Sequence, residues 1–355
     1  MNGVIRLKTL SPVFIGGGAE LNKKEYVRVG DHVAVTDMPK LYGYLRNKGL
    51  DKKYEGFLSS PRMDLKDFLS DAKITGKDYD IFTKYNIDSG DAFNNGGGTS
   101  KGISSFMRDG FGKPYIPGSS LKGALRTAVL SRLVLEDSAS YRQAAGDDWI
   151  SGKRNDRSGG LIEAKAFRSL KFNDRNSDDA VNDIFRALIV SDSPPLKDLA
   201  MTLCQKIDRD TEGDEHPINT LRECIKPGAT IDIPLSIDTK MFAALGGGDP
   251  FRYIMECVKV FSGIQSDFAR AFSRGPYADN TVILGGGAGY VSKTVTYPLY
   301  GGDAVGKVSR LMQKQFPKHK HDKDERAFGV SPHALKCTRY KGVLYDMGLC
   351  EVVIK

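Results

Sequence analysis

Tryptophan occurs once in the 355 residues, and the five cysteines (Cys204, Cys224, Cys257, Cys337, Cys350) include no C-x-x-C pair. An odd number without paired spacing argues against both a disulfide framework and a zinc ribbon, so reduced structural thiols are expected. No run approaches the ~18 consecutive apolar residues of a membrane helix. The segment after Met1 alternates in polarity, unlike the core of a signal peptide, so a cytoplasmic chain with no membrane contact is expected. None of the pairs Gly76-Lys77, Gly112-Lys113, Gly152-Lys153 and Gly306-Lys307 is followed by Ser or Thr, which excludes a P-loop. The cluster Gly285 to Gly289 fails G-x-G-x-x-G because Tyr290 holds the last position, so a dinucleotide enzyme is not expected.

What is present is glycine and positive charge. The 39 glycines stand against 15 prolines, and Lys+Arg exceed Asp+Glu by 8, a balance that points toward a polyanionic partner. Residues 281–355 carry +6 of that +8. The length exceeds the roughly 250–300 residues at which one hydrophobic core stops growing, so two domains are expected, 1–228 and 229–355.

Residues 3–16 read as a first strand running into a glycine loop at Gly16, Gly17 and Gly18. Alternation on both sides of Gly30-Asp31 marks a hairpin, after which Asp37 is placed to cap a short helix. From about 78 to 112 the chain turns polar and glycine-rich, and Asp88 to Lys101 is nearly devoid of aliphatic side chains. Such a stretch cannot bury enough apolar surface to offset the entropy of ordering, so a mobile arm is expected there. Pro114 to Glu136 gives the clearest helix, with Leu121, Ala124, Leu125, Ala128, Val129 and Leu133 at helical spacing and Ser119 or Ser120 as cap. A charged, solvated insertion is expected over about 137–180. Ile184 to Val190 reads as a strand, Ala229 to Ile237 as a half-buried strand, and Asp249-Pro250 as the start of a long helix through Phe272.

Glycine loops let a backbone approach a phosphate and present N–H groups to it. The N-terminus of the helix after Gly118, with two serine hydroxyls and Lys122 one turn in, suits the same ligand. The alternative readings are tight turns at the two glycine runs and an ordinary capped core helix with two exposed basic residues. Acid–base candidates are sparse: His32 sits in an apparent strand, and His319 and His321 lie in the charged stretch Lys314 to Arg326, which reads as a solvated loop rather than a metal clip. No catalytic residue, metal or cofactor is assigned.

The ordered set L-S-P-x-x-I-G-G-G (Leu10 to Gly18), T-D-M-P-K-L-Y (Thr36 to Tyr42), F-M-R-D-G-F-G-K-P-Y-I-P-G-S-S-L-K-G-A-L-R-T (Phe106 to Thr127), V-S-D-S (Val190 to Ser193) and G-G-G-A-G-Y-V-S-K-T (Gly285 to Thr294) resembles the RAMP superfamily of CRISPR proteins. More narrowly it resembles the Csm-family subunit that caps the crRNA 3′ end in type III-A effector complexes. The resemblance implies an α+β fold of two ferredoxin-like, RRM-related domains, with an insertion and a mobile arm, that holds crRNA by its backbone. It implies contacts with the neighbouring backbone subunit and the small subunit, and support of crRNA maturation through recruited cellular nucleases rather than through cutting. The residues expected to meet RNA are Gly16, Gly17, Gly18, Arg108, Ser119, Ser120, Lys122, Arg126, Gly285, Gly286, Gly287 and Lys293. In the arm, Phe93 or Phe106 could wedge between bases, or either could be a core anchor. The related filament subunit that cleaves target uses an aspartate in its early loop; here Gly16 to Tyr26 offers Glu20 and Glu25 but no aspartate. An endoribonuclease remains the alternative reading.

Overall fold

The structure, a computed structural model, describes residues 1–94, 102–146, 158–177, 179–246 and 248–355. Strict alternation builds β1 (Asn2–Thr9), with Ile5 and Leu7 fully buried while Arg6 and Lys8 face outward. The first glycine segment is not a loop. It opens β2 (Gly16–Leu21), an exposed strand with a register shift between Gly16 and Glu20. β3 (Tyr26–Val29) and β4 (His32–Thr36) form the expected hairpin about Gly30. The Asp37 carboxylate then accepts from the Lys40 N–H at 3.1 Å and starts α1 (Met38–Asn47). Helices α2 (Asp51–Ser59) and α3 (Leu65–Asp71) pack with α1 in a satellite core around Leu41, Tyr54, Phe57, Phe68 and Phe82.

The stretch expected as an arm has ordered strands at its base, β5 (Thr83–Asp88) and β6 (Ile103–Phe106); residues 95–101 lie outside the described residues. Phe106 is buried, and Phe93 packs partly buried against the main core with the Arg28 guanidinium 4.7 Å from its ring, so both anchor the base of this segment. Helix α4 (Gly118–Glu136) buries the stripe read from its sequence. The charged segment after it is only partly a solvated insertion: α5 (Ser138–Ala145) and α6 (Ser158–Phe167) bring Tyr141, Ala145, Ile162, Ala166 and Phe167 into the main core. Residues 147–157 lie outside the described residues. Most of Ile184 to Val190 is a 3-10 turn, and only β7 (Leu188–Val190) is strand.

The remaining elements are β8 (Met201–Arg209), β9 (Glu215–Ile225), β10 (Thr230–Ile237), α7 (Thr239–Phe242), α8 (Pro250–Arg270), β11 (Thr281–Ile283), α9 (Thr296–Tyr300), α10 (Ala304–Gln315), α11 (Asp324–Ala327), β12 (Leu335–Tyr340), β13 (Val343–Asp346) and β14 (Leu349–Ile354). Asp249 caps α8 by accepting from the Phe251 N–H at 2.9 Å, with Pro250 in the first turn.

Two curled sheets organise the α+β fold. The five-stranded sheet runs β11-β14-β1-β10-β7, so β1 lies between β10 and β14. The larger sheet runs β2-β6-β9-β8-β5-β4-β3, with β12 joined to the far end of β8 and β13 to β12. Helices α4 and α8 pack against each other over the main core. No helix among the described residues is long and apolar enough to cross a membrane.

Candidate nucleic-acid interface

The face of the larger sheet that carries β8 and β9 is built by register. Cys204 on β8 stands opposite Arg222 on β9, and Lys206 and Asp208 follow Cys204 at strand spacing on the same face. β12 extends that face by placing Lys336 opposite Asp208, and the two side chains pair at 2.7 Å. Arg222 and Lys206 form no ion pair among the described residues. Burial, and beyond it the charges of Lys336 and Arg222, hold the Lys206 ammonium below its ordinary pKa, with Asp208 opposing them. Three basic side chains therefore line one strip of sheet, two of them outside any ion pair among the described residues.

The two glycine segments, far apart in sequence, meet beside this strip. Their common neighbour is Phe14, whose ring lies 3.1 Å from the position a Cβ on Gly16 would take and 3.4 Å from that on Gly286. The Gly286 N–H donates to the Phe14 carbonyl at 2.7 Å. Gly285 and Gly287 have φ of 82° and 78°, conformations that L side chains rarely adopt. A Cβ on Gly285 would overlap the Phe14 carbonyl oxygen, and one on Gly287 would overlap the Arg222 guanidinium. Arg222 in turn stands 5.2 Å from the Phe14 ring centroid. Gly16, Phe14, Gly285 to Gly287 and Arg222 thus form one constellation, with bare backbone on two sides of a cation. Gly17 lies close against the Phe106 carbonyl, and Gly18 faces open space. Lys293 lies on a 3-10 turn at the end of the second glycine segment, where part of the residue is exposed while burial holds its ammonium below its ordinary pKa.

The α4 residues are elsewhere, and protein groups occupy them. Pro117 holds the N-cap position, and neither Ser119 nor Ser120 caps the helix. Instead the Asp192 carboxylate accepts from the Gly118 N–H at 2.8 Å, so a negative charge already sits at the positive end of the helix. Gly118 itself fits closely against the Val190 and Ser191 carbonyls. The Lys122 ammonium donates to the Leu188 carbonyl at 2.6 Å, and burial lowers its pKa. Arg126 pairs with Glu163 at 3.0 Å and Asp183 at 2.8 Å, its guanidinium 3.9 Å from the Phe167 ring centroid.

Arg108 is likewise engaged. It donates to the Gly112 carbonyl at 2.9 Å, to Asp198 at 3.0 Å and to Glu223 at 3.4 Å, and stacks 3.7 Å from the Tyr85 ring centroid. Glu223, fully buried, also accepts from the Tyr85 hydroxyl at 2.6 Å and from the Phe106 N–H at 3.0 Å. Burial, then the Glu223 charge, pushes the Tyr85 phenol far above its ordinary pKa. This buried hub fixes β6 to β9 beneath the glycine constellation.

The sequence reading missed Arg222, Lys206, Lys336 and Phe14. For the three cations the one signal is a basic residue at an outward position of a strand of mixed polarity, which is also what any solvent-facing strand shows; Phe14 gives no signal of its own.

A family model described as the RAMP superfamily matches residues 6–289. The chain is 32% identical over 376 residues to the CRISPR system Cms protein Csm5 of Mycobacterium tuberculosis, covering 99% of this chain and 97% of that one. It is 27% identical over 319 residues to the protein of the same name from Streptococcus thermophilus, covering 88% and 80%. Among solved structures, a chain of a Csm-crRNA-target RNA ternary complex from a type III-A CRISPR-Cas system superposes with a TM-score of 0.72 at 23% identity, covering 99% of this chain and 100% of that one.

Proposed function

The chain belongs to the RAMP superfamily, and from that premise we propose that it is a crRNA-binding subunit of a type III-A Csm effector complex that caps the 3′ end of the guide. The observation that carries the reading is the strip Arg222, Lys206 and Lys336 beside the joined glycine segments at Phe14. Cations and unencumbered backbone recognise phosphate and sugar, which are the same in every guide, and leave base identity unread. A subunit that must accept any spacer needs that indifference. We include Gly16 to Gly18, beside Phe14, and Lys293 among the proposed RNA contacts. Lys122, Arg126 and Arg108 act through the protein, holding α4 and β6 in place behind it.

We assign the chain no cutting step. In the early segment Glu20 is exposed, and the Glu25 carboxylate is taken by the Asn22 N–H at 2.8 Å. Maturation of the guide then falls to cellular nucleases that the assembled complex recruits, with the neighbouring backbone subunit and the small subunit as its protein contacts.

The test is crRNA binding by the wild-type chain and by Arg222→Ala/Lys206→Ala across a salt series. Losing two phosphate contacts should lower the slope of log affinity against log salt by about 1.4, at roughly 0.7 per contact on single strands. The loss should be equal for unrelated spacers. An unchanged slope removes the strip from the interface. In parallel, labelled crRNA precursor is incubated with the chain, with EDTA or with a divalent metal. Cleavage that a substitution in this chain abolishes would replace capping with the endoribonuclease reading.

A further inference from the structure

His321 is not on a solvated loop: it is buried beside α11. The wholly buried carboxylate of Asp324 accepts from His321 Nδ1 at 2.9 Å and from His333 Nδ1 at 2.6 Å, which fixes the two rings with their centroids 4.4 Å apart. Both rings help to line one cavity of about 470 Å³. That volume far exceeds the roughly 30 Å³ share of one water and falls in the size range of small-ligand sites.

The lining divides by chemistry. The sheet contributes two ammoniums, Lys206 of β8 and Lys336 of β12, which disfavour a cation as the ligand. Lys336 is paired with Asp208, whereas Lys206 is in no ion pair among the described residues. The end of α10 and the turn after it contribute Met312, Phe316 and His319. Phe316 is 49% exposed, and the His319 ring lies 6.1 Å from it, centroid to centroid. The cavity also continues the basic strip. A Cβ on Gly287 would overlap the Arg222 guanidinium, and one on Gly289, two residues on, would lie 3.3 Å from the Lys336 side chain. The second glycine segment therefore follows the strip from Arg222 to the cavity, whose lining takes in Gly289 and Tyr290. A packing gap accounts for empty volume. It does not account for an unpaired ammonium and uncovered aromatic rings gathered at the end of a cationic strip.

We propose that this cavity takes one unstacked nucleotide of the crRNA, its base laid against Phe316 and His319 and its phosphate at Lys206. The inference rests on the crRNA-binding reading above and names a place for one base within it. Flat rings beside an ammonium match a ligand that is both planar and anionic, and single-stranded RNA is held in this way, with splayed bases stacked on aromatic side chains. Every base has a π-face, so such a pocket accepts any of the four. It therefore adds affinity without reading the spacer.

The experiment measures binding of a crRNA to the full-length chain across a salt series, with Phe316→Ala, Phe316→Trp and His319→Ala, all at exposed positions. Phe316→Ala should keep the wild-type melting curve and bind roughly 5- to 150-fold more weakly, the loss of one base stack. Its salt slope should not change, because no phosphate contact is removed, whereas Lys206→Ala should lower the slope by about 0.7. Phe316→Trp should restore the affinity. In parallel, the wild-type chain is irradiated with crRNA carrying 4-thiouridine, and the cross-linked peptides are mapped; the expected peptide contains Phe316 or His319. Normal affinity in both Phe316→Ala and His319→Ala overturns the proposal, as does a wild-type cross-link map that omits this segment. Normal RNA affinity with weakened attachment of the neighbouring subunit overturns it too, and makes the cavity a protein contact. A wild-type chain that binds no crRNA at all would instead overturn the crRNA-binding reading, and the pocket with it.

Discussion

Alanine placed at three successive positions, 285, 286 and 287, should give three different proteins. At Gly285 the φ of 82° costs an L residue about 1–2 kcal/mol. The new methyl would also overlap the Phe14 carbonyl, the acceptor of the Gly286 N–H, so relief requires giving up that bond, at about 0.5–1.5 kcal/mol. The total of roughly 2–3 kcal/mol should lower the melting temperature of the 355-residue chain by roughly 3–4 °C. At Gly286 the φ is not left-handed, and a methyl would sit 3.4 Å from the nearest Phe14 ring carbon, an ordinary contact. Removing a glycine from the unfolded chain there favours folding by about 0.4–1 kcal/mol, so Gly286→Ala should melt at or slightly above wild type and bind crRNA normally. Gly287→Ala carries the φ penalty, but its steric conflict is with the movable Arg222 guanidinium. It should displace that cation and lower the salt slope of crRNA binding by about 0.7, as Arg222→Ala does. Differential scanning calorimetry and a salt-series binding assay on the three variants decide the matter. Equal melting of Gly285→Ala and Gly286→Ala, or a normal salt slope for Gly287→Ala, would refute the geometry of the constellation.

Arg126→Ala should cost roughly 1–3 kcal/mol through the lost charged hydrogen bonds, and, like Lys122→Ala, leave the salt slope of crRNA binding unchanged; denaturant titration and the binding assay read both. Glu223→Gln keeps the shape but weakens the bonds from Tyr85, Phe106 and Arg108, and should destabilise the chain by up to about 3 kcal/mol in the same titration. The bond to Asp210 at 2.8 Å raises the pKa of exposed His216 above 6.5. The folded state therefore binds the proton more tightly than the unfolded one. The stabilising increment is fully present below about pH 6.5 and fades as the pH rises through the folded value. An NMR titration should find the His216 midpoint above 6.5, returning toward it in Asp210→Asn.

Elements whose cause is local were legible in the sequence: the alternation of β1 and β10, the hairpin at Gly30, and the stripes and caps of α1 and α8. The cap of α4 was not, because a carboxylate 74 residues away, Asp192, reaches the Gly118 N–H and leaves the adjacent serines without that role. The glycine segments announced themselves by composition, but sheet topology alone brings them together at Phe14, and no local pattern encodes it. Arg222 and Lys206 were invisible for the same reason: a basic residue in a strand of mixed polarity becomes a site only when its neighbours on other strands are known. His321 was hidden by the charges around it, since Lys314 to Arg326 reads as solvated whether or not one of its histidines turns inward.

The pairing of β1 with β14 sets a schedule for the chain's birth. Leu7 lies opposite Val352, so at roughly 5–20 residues per second a ribosome takes about 20–70 s to deliver the second partner after the first has emerged. For that interval one edge of β1 stands open, first alone and then with β10 on its other side, and an open edge invites pairing with foreign strands. A message truncated between the codons for Tyr340 and Leu349 yields a chain with its nucleic-acid strip complete and its five-stranded sheet unclosed, the kind of product that quality control would meet as an aggregate.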